Sequence, residues 1–138
     1  RGKDTYDGAM PSANSVAAVA LLRLGALTGG LEYTRAGEGI LRLLHGLLSE
    51  QPGAVTVAVA AVALVVDGFT EIVVSGDRPH LVAAVQRRYR PATVLAWGEP
   101  WSSPLWDGRD EPAAYVCRDH ACGLPARTID ELSRQLAG

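Results

Sequence analysis

Both cysteines of this chain and one of its three histidines fall in the stretch Cys117-Arg-Asp-His-Ala-Cys122. Three chemistries suit those residue types. Thiol–disulfide exchange needs two sulfurs that can meet and a setting that favours thiolate. Here four residues separate the cysteines, where a thioredoxin-like redox pair has two, and the sequence carries no cue for thiolate activation. Zinc is bound in structural sites by four tetrahedral ligands. Cys117, His120 and Cys122 supply three, while His45 and His80 stand alone along the chain. The simplest reading keeps both thiols reduced, as small apolar side chains beside Tyr115 and Val116, with Asp119-His120-Ala121 as a turn.

A second group of polar residues, Asp7, Ser12, Asn14 and Ser15, precedes or opens a strongly apolar segment. The first turn of a helix presents unpaired amide donors and a favourable potential for negative charge. These side chains can therefore cap the helix, or line a polar mouth facing a sugar hydroxyl or an anion. Asp107, Asp110 and Glu111 form a carboxylate cluster beside Trp101 and Trp106. Glycoside chemistry needs two carboxyls opposed across a bond, which adjacency in sequence does not supply, so a solvated charged loop is expected. Trp97, Trp101 and Trp106 can stack on sugar rings or cover a sheet, and packing is the expected role. Val73-Val-Ser-Gly-Asp77 resembles a strand followed by a ligand-binding turn, but it lacks both the dinucleotide and the phosphate-loop glycine patterns.

The elements that position these residues follow from periodicity and breakers. Pro11 to Gly30 reads as a helix with Ser12 or Asn14 as cap, apolar on nearly every side except at Arg23. Ala36, Ile40, Leu43, Leu44 and Leu47 give a second, amphipathic helix, and the Gly29-Gly30 connection favours an antiparallel pair. A third helix is expected from about Gly53 to Asp67, although its valines also suit a strand. Beyond Gly68 the rhythm changes. Strand Glu71–Ser75, helix Pro79–Tyr89 and strand Thr93–Trp97 make a unit long enough for a parallel crossover. Ala113–Cys117 reads as another strand, and Thr128 with Glu131 as the capping box of a last helix through Leu136. The expected class is α+β: helical hairpins over residues 1–68, then a small α/β tail over 69–138 with a short parallel or mixed sheet.

Whole-chain properties narrow the partners. The chain has 138 residues, enough for one core or two compact subdomains. Its net charge of −2 creates no field for a phosphate backbone, so nucleic acid is not expected as a partner. The longest strongly apolar run, Ala54–Val66, falls short of the roughly 18 to 20 residues that span a bilayer, and no membrane association is expected. The sequence begins at Arg1, without a visible targeting segment, and reads as trimmed or mid-chain, with a cytoplasmic location expected. Hydrophobic residues make up 48% and charged ones 20%, which is lean in surface charge and suggests that some surface lacks its partner.

Asp7-Gly-Ala-Met-Pro-Ser-Ala-Asn-Ser-Val-Ala17, Leu21-Leu-Arg-Leu24, Tyr33, Glu71-Ile-Val-Val74 and Tyr115-Val-Cys-Arg-Asp-His-Ala-Cys122 with Pro125 occur in the order of a known family. In these motifs the chain resembles the spermatogenesis-associated, thioredoxin-like proteins. Ala13 stands where that family usually has glycine. The resemblance implies the C-terminal end of a longer polypeptide that joins a thioredoxin-like domain to an (α/α)6 barrel similar to N-acylglucosamine 2-epimerase, of the six-hairpin glycosidase type. It implies that residues 1–68 close the barrel and that the remainder of the parent chain is the main partner. Carbohydrate is a possible ligand, and a homo-oligomer is a possible state of the isolated fragment. No cofactor is expected, zinc at Cys117, His120 and Cys122 being the alternative. A sugar-processing enzyme, or a redox or metal module at Cys117 and Cys122, is the competing functional reading.

Overall fold

The computed structural model describes residues 5–118 and 121–137. The chain forms two compact units. One comprises residues up to Ala26 with Gly30–Gly68; the other comprises Leu27–Gly29 with the residues from Phe69 onward.

The first unit is helical. Helix α1 spans Ala13–Thr28, α2 Leu31–Leu43, α3 His45–Glu50 and α4 Thr56–Asp67, with a single 3-10 turn at Pro52–Ala54 before α4. The valines of α4 do not make it a strand. Ala58, Ala61 and Leu64 recur at helical spacing and form its buried face. The amphipathic segment foreseen as one helix is divided at Leu44, whose side chain is almost fully buried. Helices α1 and α2 meet through small residues. A side-chain carbon placed on Gly37 would lie 3.0 Å from Leu22 Cγ and 3.2 Å from the Ala18 carbonyl oxygen. One on Gly25 would strike Thr34. Residue 25 beside 34, and 18 and 22 beside 37, is the pattern of an antiparallel pair, as the short glycine connection led us to expect.

Among the described residues, the second unit is a four-stranded mixed sheet carrying two α-helices. Strands β1 (Thr70–Val74), β2 (Thr93–Trp97), β3 (Ala114–Arg118) and β4 (Ala121–Cys122) lie in the order β2-β1-β3-β4. Helix α5 (Pro79–Gln86) connects β1 to β2, which pair in parallel, as a crossover of that length permits. Strand β3 runs antiparallel to β1 and to β4. Central strand β1 is buried from Glu71 to Val74, a near-continuous apolar run because both faces of the sheet are covered. On one face Ile72, Val74, Ala114 and Val116 pack with Leu81, Val82 and Val85 of α5 and Leu132 of α6 (Ile129–Gln135). On the other, Val73, Ala96, Tyr115 and Cys117 pack with Leu105, Leu27 and Trp106. Thr128 caps α6: its hydroxyl accepts from the Glu131 amide at 3.2 Å while Glu131 accepts from the Thr128 amide at 3.1 Å. The chain is thus of the α+β class with a small mixed sheet. Among the described residues no helix is long and apolar enough to cross a membrane.

Candidate functional site

The polar residues of the first unit are brought together around Asp7. Its Oδ1 accepts the Ser12 amide and its Oδ2 the Val57 amide, each at 2.8 Å. Val57 is the second residue of α4, so Asp7 caps that helix from 50 positions away while holding the entry to α1. Ser12 in turn accepts the Ser15 amide at 3.1 Å and donates to the Ser15 hydroxyl at 2.9 Å. Both serines are fully buried. Burial acts to raise the Asp7 carboxyl, but the amides of Ser12 and Val57 and the hydroxyls of Ser15 and Ser12 outweigh it and hold the carboxyl below its ordinary range. Three of the four residues considered as ligand-facing, Asp7, Ser12 and Ser15, thus spend polar atoms on helix entry. Asn14, half-buried in the first turn of α1, also has an interaction partner.

The second constellation lies at one end of the β3–β4 hairpin. Cys117 and Cys122 are directly paired across the two strands and are joined as a disulfide, with Cα atoms 3.9 Å apart. This corrects the expectation of two reduced thiols. The reason lies in the register: the Gly123 amide donates to the Val116 carbonyl at 2.9 Å, which makes the next pair outward, 117 with 122, a non-hydrogen-bonded pair. Side chains approach most closely at such pairs. The two-residue strand β4 was not foreseen, and without it the spacing of the cysteines looked too wide for redox work. With the two sulfurs bonded to each other, neither is a thiolate ligand in this state. His120 lies outside the described residues. Among the described residues no group of three or more His, Cys, Asp or Glu side chains could hold a metal ion.

The sulfurs differ in setting: Cys117 is 1% exposed, whereas Cys122 is on the surface. Arg109 reaches over both. Its Nη2 contacts Sγ of Cys122 and lies 3.7 Å from Sγ of Cys117. The guanidinium is held by neutral acceptors, Nη1 donating to the carbonyls of Pro104 at 3.2 Å and Asp107 at 2.5 Å. Its buried Nε has no hydrogen-bond partner among the described residues. Glu71, 4% exposed, pairs directly with Cys117 across the β1–β3 ladder. Neither Arg109 nor Glu71 stood out in the sequence, since each is brought to the cysteines by strand pairing or by a loop and not by proximity along the chain.

The tryptophans divide. Trp106 packs against the sheet, and Trp101 meets it edge-on with ring centroids 5.1 Å apart. Trp97, 56% exposed at the end of β2, instead lines an open cleft of about 310 Å³ with Gly76, Asp77, Pro79, Val82 and Glu99. This cleft sits at the carboxyl ends of the two parallel strands. Asp107, Asp110 and Glu111 are all exposed, and Glu111 pairs with Arg127.

Comparison with known proteins places these features in context. Over 152 aligned residues, 99% of this chain, the sequence is 34% identical to spermatogenesis-associated protein 20 of Homo sapiens. It is 32% identical to the protein of the same name from Rattus norvegicus and 30% identical to that from Mus musculus, over the same share. No family model matches the chain, and no solved structure matches it. The chain is therefore related, over almost its whole length, to one segment of the spermatogenesis-associated protein 20 family, and spans 19% of the length of those curated relatives.

Proposed function

We propose that this chain is a structural segment of a longer polypeptide, in which the helices of its first unit close a helical barrel formed with other segments of the same chain. The observation that carries this reading is the outer face of α4. Val59, Ala63 and Val66 recur at helical spacing on the side away from Ala58, Ala61 and Leu64, and all three are exposed, Val66 at 76%. The helix has no charged residue before Asp67. A helix that is apolar all round is one surrounded by protein. Helix α1 repeats the pattern with Val16, Ala20 and Leu24 exposed along one stripe. The occupant proposed is another part of the parent chain, a reading supported by the small share of the curated relatives that this segment spans. The parent's thioredoxin-like domain and its likeness to N-acylglucosamine 2-epimerase belong to the same proposal, as does a cytoplasmic setting.

Lysine at positions 59 and 66 tests it. In this chain alone, Val59→Lys with Val66→Lys changes stability by less than about 1 kcal/mol, because exposed substitutions cost little. In the parent polypeptide the same pair costs about 3 kcal/mol or more, from lost valine burial and the desolvation of two ammonium groups. Equal, small effects in both settings would remove the packing role.

A second reading, carbohydrate binding, is favoured by one observation, the exposed Trp97 indole in a cleft that also holds Asp77 and Glu99. An aromatic face with nearby carboxylates suits a sugar ring and its hydroxyls. Titration with N-acetylated monosaccharides, followed by indole fluorescence and repeated on Trp97→Ala, decides it: a saturable change lost in the variant supports the reading, and no change in the native chain ends it.

A further inference from the structure

We propose that Cys122 and Cys117 form a thiol-exchange site, with Cys122 the sulfur attacked by an incoming thiolate and Arg109 the cation that receives the departing Cys117 thiolate. The assignment rests on three independent features of the second unit. Cys122 is a surface residue on the edge strand, while Cys117 is 1% exposed and shielded from direct attack. A guanidinium lies over the pair, within 3.7 Å of the buried sulfur, and is fixed there by two carbonyl oxygens. The hairpin itself is small: β4, which carries Cys122, is a two-residue edge strand paired only with β3.

The chemistry balances with an external thiol as reductant. A thiolate attacks Sγ of Cys122, a new S–S bond forms, and the electron pair of the Cys117–Cys122 bond passes to Sγ of Cys117. A second thiol then attacks the sulfur of the bound reductant and releases Cys122 as thiol. Two thiols, or one dithiol, are oxidised to a disulfide, and the two protons they carried end on Cys117 and Cys122. The buried thiolate is the costly species, the more so because Glu71 faces Cys117 from β1. Charge-assisted donation from Arg109 offsets that cost, and exchange is faster when the leaving thiol is more acidic.

The test uses the intact chain. Non-reducing mass spectrometry must find the Cys117–Cys122 bond; two free thiols in protein handled in air would overturn the proposal. Reduction by dithiothreitol is then timed for the native chain, Arg109→Ala and Arg109→Lys. The expected result is a slowing of about three- to tenfold in Arg109→Ala with partial recovery in Arg109→Lys. Equal rates in all three would mean an inert staple and overturn the proposal. Single-cysteine variants report which sulfur is attacked even if the arginine variants fold poorly. With oxidised glutathione, Cys117→Ser, which retains the exposed thiol, forms a mixed disulfide at least about tenfold faster than Cys122→Ser. The reverse order would overturn the assignment of Cys122.

Discussion

Replacing Asp7 probes the part of the first unit where a single side chain reaches two helices. In Asp7→Ala the amides of Ser12 and Val57, each bonded at 2.8 Å, lose their acceptors together. An amide left without a partner costs about 1–3 kcal/mol, and Asp7 is partly exposed, so water recovers some of the loss. The expected cost is about 2–4 kcal/mol. Urea unfolding followed by far-ultraviolet circular dichroism reads the helices of the first unit; indole fluorescence reads the second unit, where all three tryptophans lie. Acid supplies the sign check. The folded carboxyl titrates below the 3.8 of a free aspartate, so the unfolded chain binds the proton more readily. The Asp7 contribution is then fully present above pH 3.8 and fades as pH falls through the lower folded value, and the native chain and Asp7→Ala converge there. A loss under about 0.5 kcal/mol at neutral pH, or a difference that grows as pH falls, would refute the capping account.

Other perturbations test the second unit. Gly76 has φ of 69°, and a side-chain carbon there would lie 2.8 Å from Pro112 Cβ, so Gly76→Ala lowers stability by about 2–4 kcal/mol in urea unfolding. A neutral result would place the β1–α5 turn elsewhere. Thr128→Ala removes one half of the α6 capping box and costs about 1 kcal/mol, measured the same way; Thr128→Ser retains most of it. Reducing the disulfide releases a loop of only six residues, Cys117 to Cys122, for a chain-entropy loss of about 2 kcal/mol, read as a shift in urea midpoint with and without reductant.

Local patterns carried most of the element order. Thr93–Trp97 was legible as a strand because β-branched and apolar residues lie between Pro91 and Gly98. The Thr128–Glu131 box announced α6 by chemistry that acts within one turn. The helical reading from about Gly53 to Asp67 rested on length, and the burial of Ala58, Ala61 and Leu64 in α4 is its physical justification. What escaped were contacts between residues remote in sequence. The Asp7 carboxylate was recognised as polar and near a helix start, but its second amide lies 50 residues on. The cysteine spacing was judged against a helix-borne redox pair, and a two-residue edge strand has too little periodicity to be seen. Arg109 belongs to an irregular loop whose path only the folded chain defines.

The central claim, that the outer faces of α1 and α4 are covered by other segments of the parent polypeptide, is tested most directly by radical footprinting of Leu24 and Val66 in this chain and in the full-length parent, with Met10 as a further reporter near the start of α1. The account predicts that Val66, 76% exposed here, and Leu24, 38% exposed, become strongly protected in the parent. Unchanged labelling of both residues would contradict it.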